Sequence, residues 1–318
     1  MRILGLSSFV PEQICDVIKF SGYQSERTIS NYCGYISDYL SQVIEDDSID
    51  GAVYPKSCDS SRGITSYLDN SKKFLHQIHV PARQDEYAIE IFSESIKLYK
   101  ESVEKFYDAV INENEINYRN EIICKRNTDI EAIYDNLEGI HYSVYLKLMH
   151  DLQKMPLNEQ LDYLKNNRSE SVINNGKKVF LIGSRVTDMS IIEGIEQSGM
   201  TVVGDNITES KRFYSQRNVE GIGDIYKKIA NSILSNRLSP TQNNFCEILT
   251  NDIFEISRKN VQGVIFLTQK YCEPYDYLYS VYKKALDDMD IPILRISISG
   301  TTSVANNRLL LEAFSEMI

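Results

Sequence analysis

The sequence predicts an α/β protein of two doubly wound, parallel-sheet domains related by an internal repeat and joined by a helical segment. Three observations carry this. Apolar runs of strand length alternate with amphipathic stretches of helical period. The runs, such as "KKVFLIGS" at 177–184 and "VQGVIFLT" at 261–268, are continuous and not alternating, as strands covered on both faces should be. One order of features also occurs twice. The first copy reads "IDGAVYPKSC" (49–58), a helix, "FLHQIHVP" (74–81) and a helix containing "EIFSE" (90–94). The second reads "VQGVIFLTQKYC" (261–272), "EPYDYLYSVYKKALDDM" (273–289), "DIPILRISI" (290–298) and a helix containing "EAFSE" (312–316). Each copy is strand, cysteine, helix, strand with an adjacent proline, helix.

The elements follow in order. "MRILGLSS" reads as a strand, followed by a helix opening at Pro11, the favoured first helical position, and carrying Cys15 in "PEQICDVIKF". Residues 84–175 hold almost no Gly or Pro and keep a helical period, which makes them a connector. After "NNGKK" (174–178) comes the strand "VFLIGS", then a helix capped by Asp188 and ended by Gly199, then the strand "TVVGD" (201–205). The domains are therefore 1–108, a helical connector 109–175, and 176–318. Tyrosine is frequent, 21 residues against no Trp, and is read as core and helix-face packing.

A net charge of −11 and a pI near 5.0 set the chain against nucleic-acid backbones, and no basic stripe interleaves with aromatics. No run reaches the length of a membrane span and no signal peptide is evident, so a cytoplasmic protein is expected. Walker, GxGxxG and GxSxG patterns are absent.

Six cysteines, with no CxxC pair, are expected as free thiols. Cys15, Cys124 and Cys246 read as small core or near-surface residues. Cys58 and Cys272 each follow a strand, one in each half. Ligands of open α/β sheets bind outside the carboxyl ends of the strands, so two halves packed with pseudo-twofold symmetry would bring both thiols to one site. Soft thiolates suit zinc or an iron–sulfur cluster, and a third ligand is needed. Cys33, in "SNYCGYISDYL", opens the helix before the Cys58 strand, where a helix N-terminus favours the thiolate. The plainer reading, a buried small Cys33 and a satisfied loop thiol at Cys58, stays open. "GSRVTD" (183–188) places Ser184 and Arg185 at a strand-to-helix turn suited to phosphate, or to a plain connection. His79 and Glu86 flank the second strand of the first half, and Asp59 and Glu273 follow the two cysteines as helix caps or as groups near the site.

"DGAVYPKSCDSSRG", "HVPARQDEYAIEIFSESIKLYKESVE", "VFLIGSRVTDMSIIEGIEQSGMTVVGDN", "QKYCEPYDYLY" and "AFSEM" together resemble the 2-hydroxyacyl-CoA dehydratase and benzoyl-CoA reductase family, in order and along essentially the whole chain. The resemblance implies two Rossmann-like domains with a 4Fe-4S cluster in the cleft between them. Its three ligands fall on Cys33, Cys58 and Cys272. It implies a lyase subunit that eliminates water from a CoA thioester by radical chemistry, or an acyl-CoA reductase-like one. The implied partners are a homologous second subunit, or a second copy, and an ATP-dependent iron–sulfur activator. Arg185, Ser184 and Arg212 are the substrate-side candidates. The chain departs from the family in "DNITESKR", where Thr208 and Ser210 replace a Cys and a Gly of many members and only Arg212 is kept. Leu309 and Leu310 stand where many have Thr-Arg, with Arg308 displaced. Two other readings therefore stay open: a diverged non-catalytic partner or electron-transfer subunit, and a cluster-free small-molecule binding protein on the same fold.

Overall fold

The structure is a computed structural model that describes residues 2–318 except 24–28, 30–31, 69–70, 168–174, 187, 216–222, 237–238, 244 and 299–303, and except the side chains of 304–306. The first half runs β1 (Ile3–Gly5), β2 (Val17–Lys19), α1 (Gly34–Glu45), β3 (Gly51–Lys56), α2 (Asp59–Leu68), β4 (Phe74–His79) and α3 (Glu86–Tyr107). Helices α4 (Glu113–Tyr134), α5 (Tyr142–Lys154) and α6 (Leu157–Asn166) follow. The second half runs β5 (Lys177–Gly183), α7 (Met189–Gln197), β6 (Met200–Asn206), α8 (Lys211–Tyr214), α9 (Ile225–Asn236), α10 (Phe245–Arg258), β7 (Gly263–Gln269), α11 (Glu273–Asp287), β8 (Ile293–Ile298) and α12 (Val304–Met317).

The strands form two four-stranded sheets, β2-β1-β3-β4 and β6-β5-β7-β8, parallel throughout. The same order in both puts a topological switch between β1 and β3 and another between β5 and β7. Continuous apolar strands follow from cover on both faces. Val53, Phe74 and Ile78 pack under Phe92, Ile96 and Tyr99 of α3, while Ala52 and Tyr54 face Ile36 and Leu40 of α1 and Ile64 of α2. In the second sheet Val179, Leu181 and Ile265 share a core with α4–α7 and α12, and Phe180, Val264 and Phe266 with α10 and α11.

Helices are exchanged between the halves. Ile225, Ile229 and Ile233 of α9 belong to the core of the first sheet. Buried groups tie the halves together: Arg126 donates to Glu12 at 2.5 Å and to Gln160 at 2.8 Å and stacks over Phe213 at 4.5 Å. Gln84 donates to the Leu234 carbonyl at 2.6 Å, and the Asn243 N–H to the Ala82 carbonyl at 2.8 Å.

One local expectation is corrected. The segment after β1 is not a helix; turns lead from Pro11 to Cys15 and into β2, paired with β1. Every residue from Phe9 to Cys15 is buried, the polar Glu12 and Gln13 included, so the segment has no solvent face for a surface helix to present, and Cys15 packs with its Sγ 3.0 Å from the Tyr99 hydroxyl. The Asp188 cap and the Gly199 stop are present: the Asp188 carboxylate accepts from Ser190 N–H at 2.9 Å, and Gly199 has φ of +75°. Among the described residues, no helix is long and apolar enough to cross a membrane.

Candidate functional site

Three cysteines stand at helix N-termini beside the carboxyl ends of the sheets. Cys33 is the N-cap of α1, Cys58 immediately precedes α2, and Cys272 is the N-cap of α11, where Pro274 suits the first turn. Each lies where a strand or loop ends and a helix must begin. Asp59 opens α2 but points outward to Arg62 at 3.0 Å; Ser61 holds the turn. The Ser61 hydroxyl accepts from the N–H groups of Cys58 at 3.0 Å and Ser57 at 3.2 Å, and donates to the Cys58 carbonyl at 2.9 Å. A hydroxyl three residues after the cysteine is a capping signal that sequence reading passed over.

The thiols act on one another. Burial pushes Cys33 up to about 11; the nearby Cys58 thiol pushes the same way, while the N–H groups of Ile36 and Tyr35 and the Ser60 hydroxyl oppose it. Burial also pushes Cys272 up to about 12, with Cys33 and then Cys58 adding to the rise and the Tyr275 N–H opposing it. All three pairs are thus within electrostatic reach, across both halves. The groups acting most strongly on the two buried thiols include no cation. The halves meet closely here: a Cβ on Gly34, the first residue of α1, would lie 3.2 Å from Oε1 of Gln269, the last residue of β7. Among the described residues no three His, Cys, Asp or Glu side chains close around a single metal ion. The other cysteines lie elsewhere: Cys15 under α3, Cys124 in α4, and Cys246 exposed in α10.

The turn after β5 carries Ser184 and Arg185; Thr187 lies outside the described residues. The Ser184 carbonyl accepts from the Thr208 N–H at 3.2 Å and from the Thr208 hydroxyl, and its own buried hydroxyl has no hydrogen-bond partner among the described residues. Arg185 is only 2% exposed. Its guanidinium donates to the Tyr35 hydroxyl at 2.9 Å and the Gln153 side chain at 3.1 Å, and its Nε lies 4.0 Å from Glu209. Arg212 is also buried; it donates to the Gly183 carbonyl and to the Asn206 carbonyl at 3.2 Å, and stacks over Tyr275 at 5.6 Å. Ser210 is 2.7 Å from the Tyr145 hydroxyl and donates to the buried Asp205 carboxylate at 2.6 Å. His79 ends β4 with its N–H on Ser95 at 2.9 Å, and Glu86 is exposed, because Asp85 caps α3 by accepting from Ala88. Arg308 pairs with Glu312 at 2.8 Å, and Leu309 and Leu310 face outward on α12.

Tyr35, Gln153, Glu209 and Gln269 of this site had no motif to mark them. Their contacts join residues up to 150 positions apart, and no local spacing records that.

Comparison with known proteins bears on this arrangement. A family model described as 2-hydroxyglutaryl-CoA dehydratase, D-component, matches residues 10–318. The chain is 21% identical to the (R)-2-hydroxyglutaryl-CoA dehydratase, subunit beta, of Acidaminococcus fermentans over 319 residues, covering 92% of this chain and 83% of that one. It is 24% identical to the (R)-phenyllactyl-CoA dehydratase beta subunit of Clostridium sporogenes over 148 residues, a match spanning 45% of this chain and 38% of that subunit's length.

Proposed function

The chain belongs to the 2-hydroxyglutaryl-CoA dehydratase D-component family, and from that premise we propose that it is a subunit of a 2-hydroxyacyl-CoA dehydratase-like lyase whose cleft holds a 4Fe-4S cluster. What supports the reading is that Cys33, Cys58 and Cys272, drawn from both halves, each open a helix beside a sheet's carboxyl end and lie within electrostatic reach of one another. Burial disfavours the thiolates of Cys33 and Cys272, and a bound metal supplies the positive charge that offsets this. The donor set, three cysteine sulfurs, is of the kind that holds an iron–sulfur cluster, each thiolate on its own iron. When bound, the cluster supplies the one-electron chemistry for removing water from a CoA thioester.

The protein's own part is positional. The N-termini of α1, α2 and α11 offset negative charge on the thiolates. Ser61 fixes the Cys58 backbone. The unpartnered Ser184 hydroxyl is the substrate-side group at the mouth of the second sheet, with Arg185 and Arg212 shaping its turn from beneath. The shared strand order supports two repeats of one unit, divided at 1–108, 109–175 and 176–318. Both named relatives are beta subunits, which supports a partner subunit; an ATP-dependent iron–sulfur activator and a cytoplasmic location complete the reading.

One observation favours a second reading, a non-catalytic or electron-transferring partner. Thr208 and Ser210 commit their hydroxyls to structural bonds, to the Ser184 carbonyl and the Asp205 carboxylate. The test is turnover. Tagged, isolated without oxygen from its own cells and given ATP and a reductant, the complex should convert members of a panel of 2-hydroxyacyl-CoA thioesters to 2-enoyl-CoA. A loaded complex inert on the whole panel would replace the first reading with the second, and an iron-free chain would leave a cluster-free binding protein.

A further inference from the structure

We propose that Arg185 is a positioning residue: a strut from the second half that sets Cys33 of the first half against Cys272 of the second. The inference rests on the reading of the three thiols as one site. Arg185 leaves the end of β5 and inserts its guanidinium into an aromatic cradle of the first half, 5.1 Å from the Tyr35 ring and 5.7 Å from the Phe20 ring, which themselves lie 5.1 Å apart. One amino group donates to the Tyr35 hydroxyl at 2.9 Å, and Tyr35 is two residues from Cys33 on α1. The other donates to Gln153 of α5 at 3.1 Å, and Gln153 in turn donates to the Glu209 carbonyl at 3.0 Å. Glu209, fully buried, supplies the balancing charge and accepts from the Val186 N–H at 2.5 Å, which holds the turn bearing Arg185.

The backbone of the same residue closes the link to the other thiol. The Arg185 carbonyl accepts from the Gln269 side chain at 3.2 Å, and Gln269 ends β7 three residues before Cys272. Its other amide atom abuts Gly34, where a Cβ would approach to 3.2 Å. One residue therefore grips the helix that begins at Cys33 through its side chain and the strand that leads to Cys272 through its carbonyl. On the side-chain side, the planar fork reaches Tyr35 and Gln153 at once with fixed donors, which an ammonium on a flexible stem does only in part. A buried cation so engaged is also costly to replace piecemeal, which fixes one arrangement of the halves.

The test uses the full chain in two measurements. First, hydrogen exchange on the metal-free protein compares the parent with Arg185→Met, Arg185→Lys and Tyr35→Phe. Exchange in the first turns of α1 should rise roughly tenfold in Arg185→Met, as expected for losing a charged hydrogen bond, and less in Arg185→Lys and Tyr35→Phe, while α7 stays at the parent rate. Second, after anaerobic iron and sulfide reconstitution, the electron paramagnetic resonance spectrum of the reduced protein should shift in Arg185→Met and return toward the parent in Arg185→Lys. Parent-like α1 exchange in both Arg185→Met and Tyr35→Phe overturns the strut. If Arg185→Met does not fold, Tyr35→Phe decides through the same α1 exchange. A parent that takes up no iron, but whose variants loosen α1, keeps the strut and removes the thiol site. Loaded variants with loosened α1 and an unchanged spectrum also overturn the proposal, because α1 would then not place the ligand.

Discussion

The turn after β3 and the turn after β7 both deliver a cysteine to a helix N-terminus, and they do it differently. After β3 the chain passes directly through Ser57 and Cys58 into α2, and the Ser61 hydroxyl satisfies the backbone on both sides of the thiol. After β7 the chain passes through Lys270 and Tyr271, and Tyr271 takes a φ of 67° while leaving its ring 66% exposed. A tyrosine in the left-handed region is strained, and such strain persists only where the surroundings hold it. The turns after the first strand of each sheet, by contrast, share a device. Lys19 donates to the Ser7 carbonyl at 3.3 Å and the Val10 carbonyl at 2.5 Å, as Arg212 does to the carbonyls after β5. Buried cations thus satisfy the turns that carry no ligand, while the backbone of the Cys58 turn relies on a hydroxyl and the Cys272 turn includes a left-handed tyrosine.

A large effect is expected where a buried cation bridges the halves. Arg126→Met should destabilise the protein by about 2–3 kcal/mol, since it removes the charged hydrogen bond to Glu12 and leaves it Lys19 at 3.5 Å, and urea unfolding should report it. A loss under about 1 kcal/mol would mean that this bridge contributes little to holding the halves together. Next come two glycines, one ending β5 and one opening α1. At Gly183 a Cβ would overlap the Leu267 carbonyl of the neighbouring strand, so Gly183→Ala should cost about 3 kcal/mol. At Gly34 the obstacle is only the end of a glutamine side chain, so thermal unfolding of Gly34→Ala should show a much smaller drop. Equal drops would contradict the distinction between a backbone obstacle and a yielding side chain.

Ser61→Ala should cost about 1 kcal/mol, as loss of a helix cap does, and should raise the alkylation rate of Cys58 by loosening its turn; an unchanged rate would deny Ser61 its role. The smallest effect depends on pH. Burial raises the Asp38 carboxyl of α1 from 3.8 to about 6, so the folded state favours its neutral form. That contribution is fully present below pH 3.8 and is lost as pH rises through about 6. Relative to Asp38→Asn, the parent should therefore weaken across this window, by less than about 1 kcal/mol because the group is half exposed and screened. A pH-independent difference between the two would contradict the assignment.

Much of this was legible in the sequence because it is local. Continuous apolar runs marked β3, β5, β6 and β7, and Asp188 and Gly199 marked the ends of α7. Cysteines placed after strands marked Cys58 and Cys272, since a strand's carboxyl end fixes where the next residue stands. Three kinds of feature were not legible. The strand β2 is three residues long, and the buried segment before it mimicked a helix opening at Pro11. The placement of α9 on the first sheet is set by tertiary packing that no periodicity encodes. Arg185 and Arg212 look in sequence like exposed turn residues, yet both are buried, and their partners lie up to 150 positions away.

The central claim is that thiols from both halves form one metal-binding site. Its most direct test is iron and acid-labile sulfide per chain, with an absorption spectrum, in protein prepared without oxygen, beside Cys33→Ser, Cys58→Ser and Cys272→Ser. The account predicts about four iron and four sulfide in the parent with thiolate-to-iron absorption, and loss of both in each variant. Full iron in Cys58→Ser and Cys272→Ser, or a folded, iron-free parent, would contradict it.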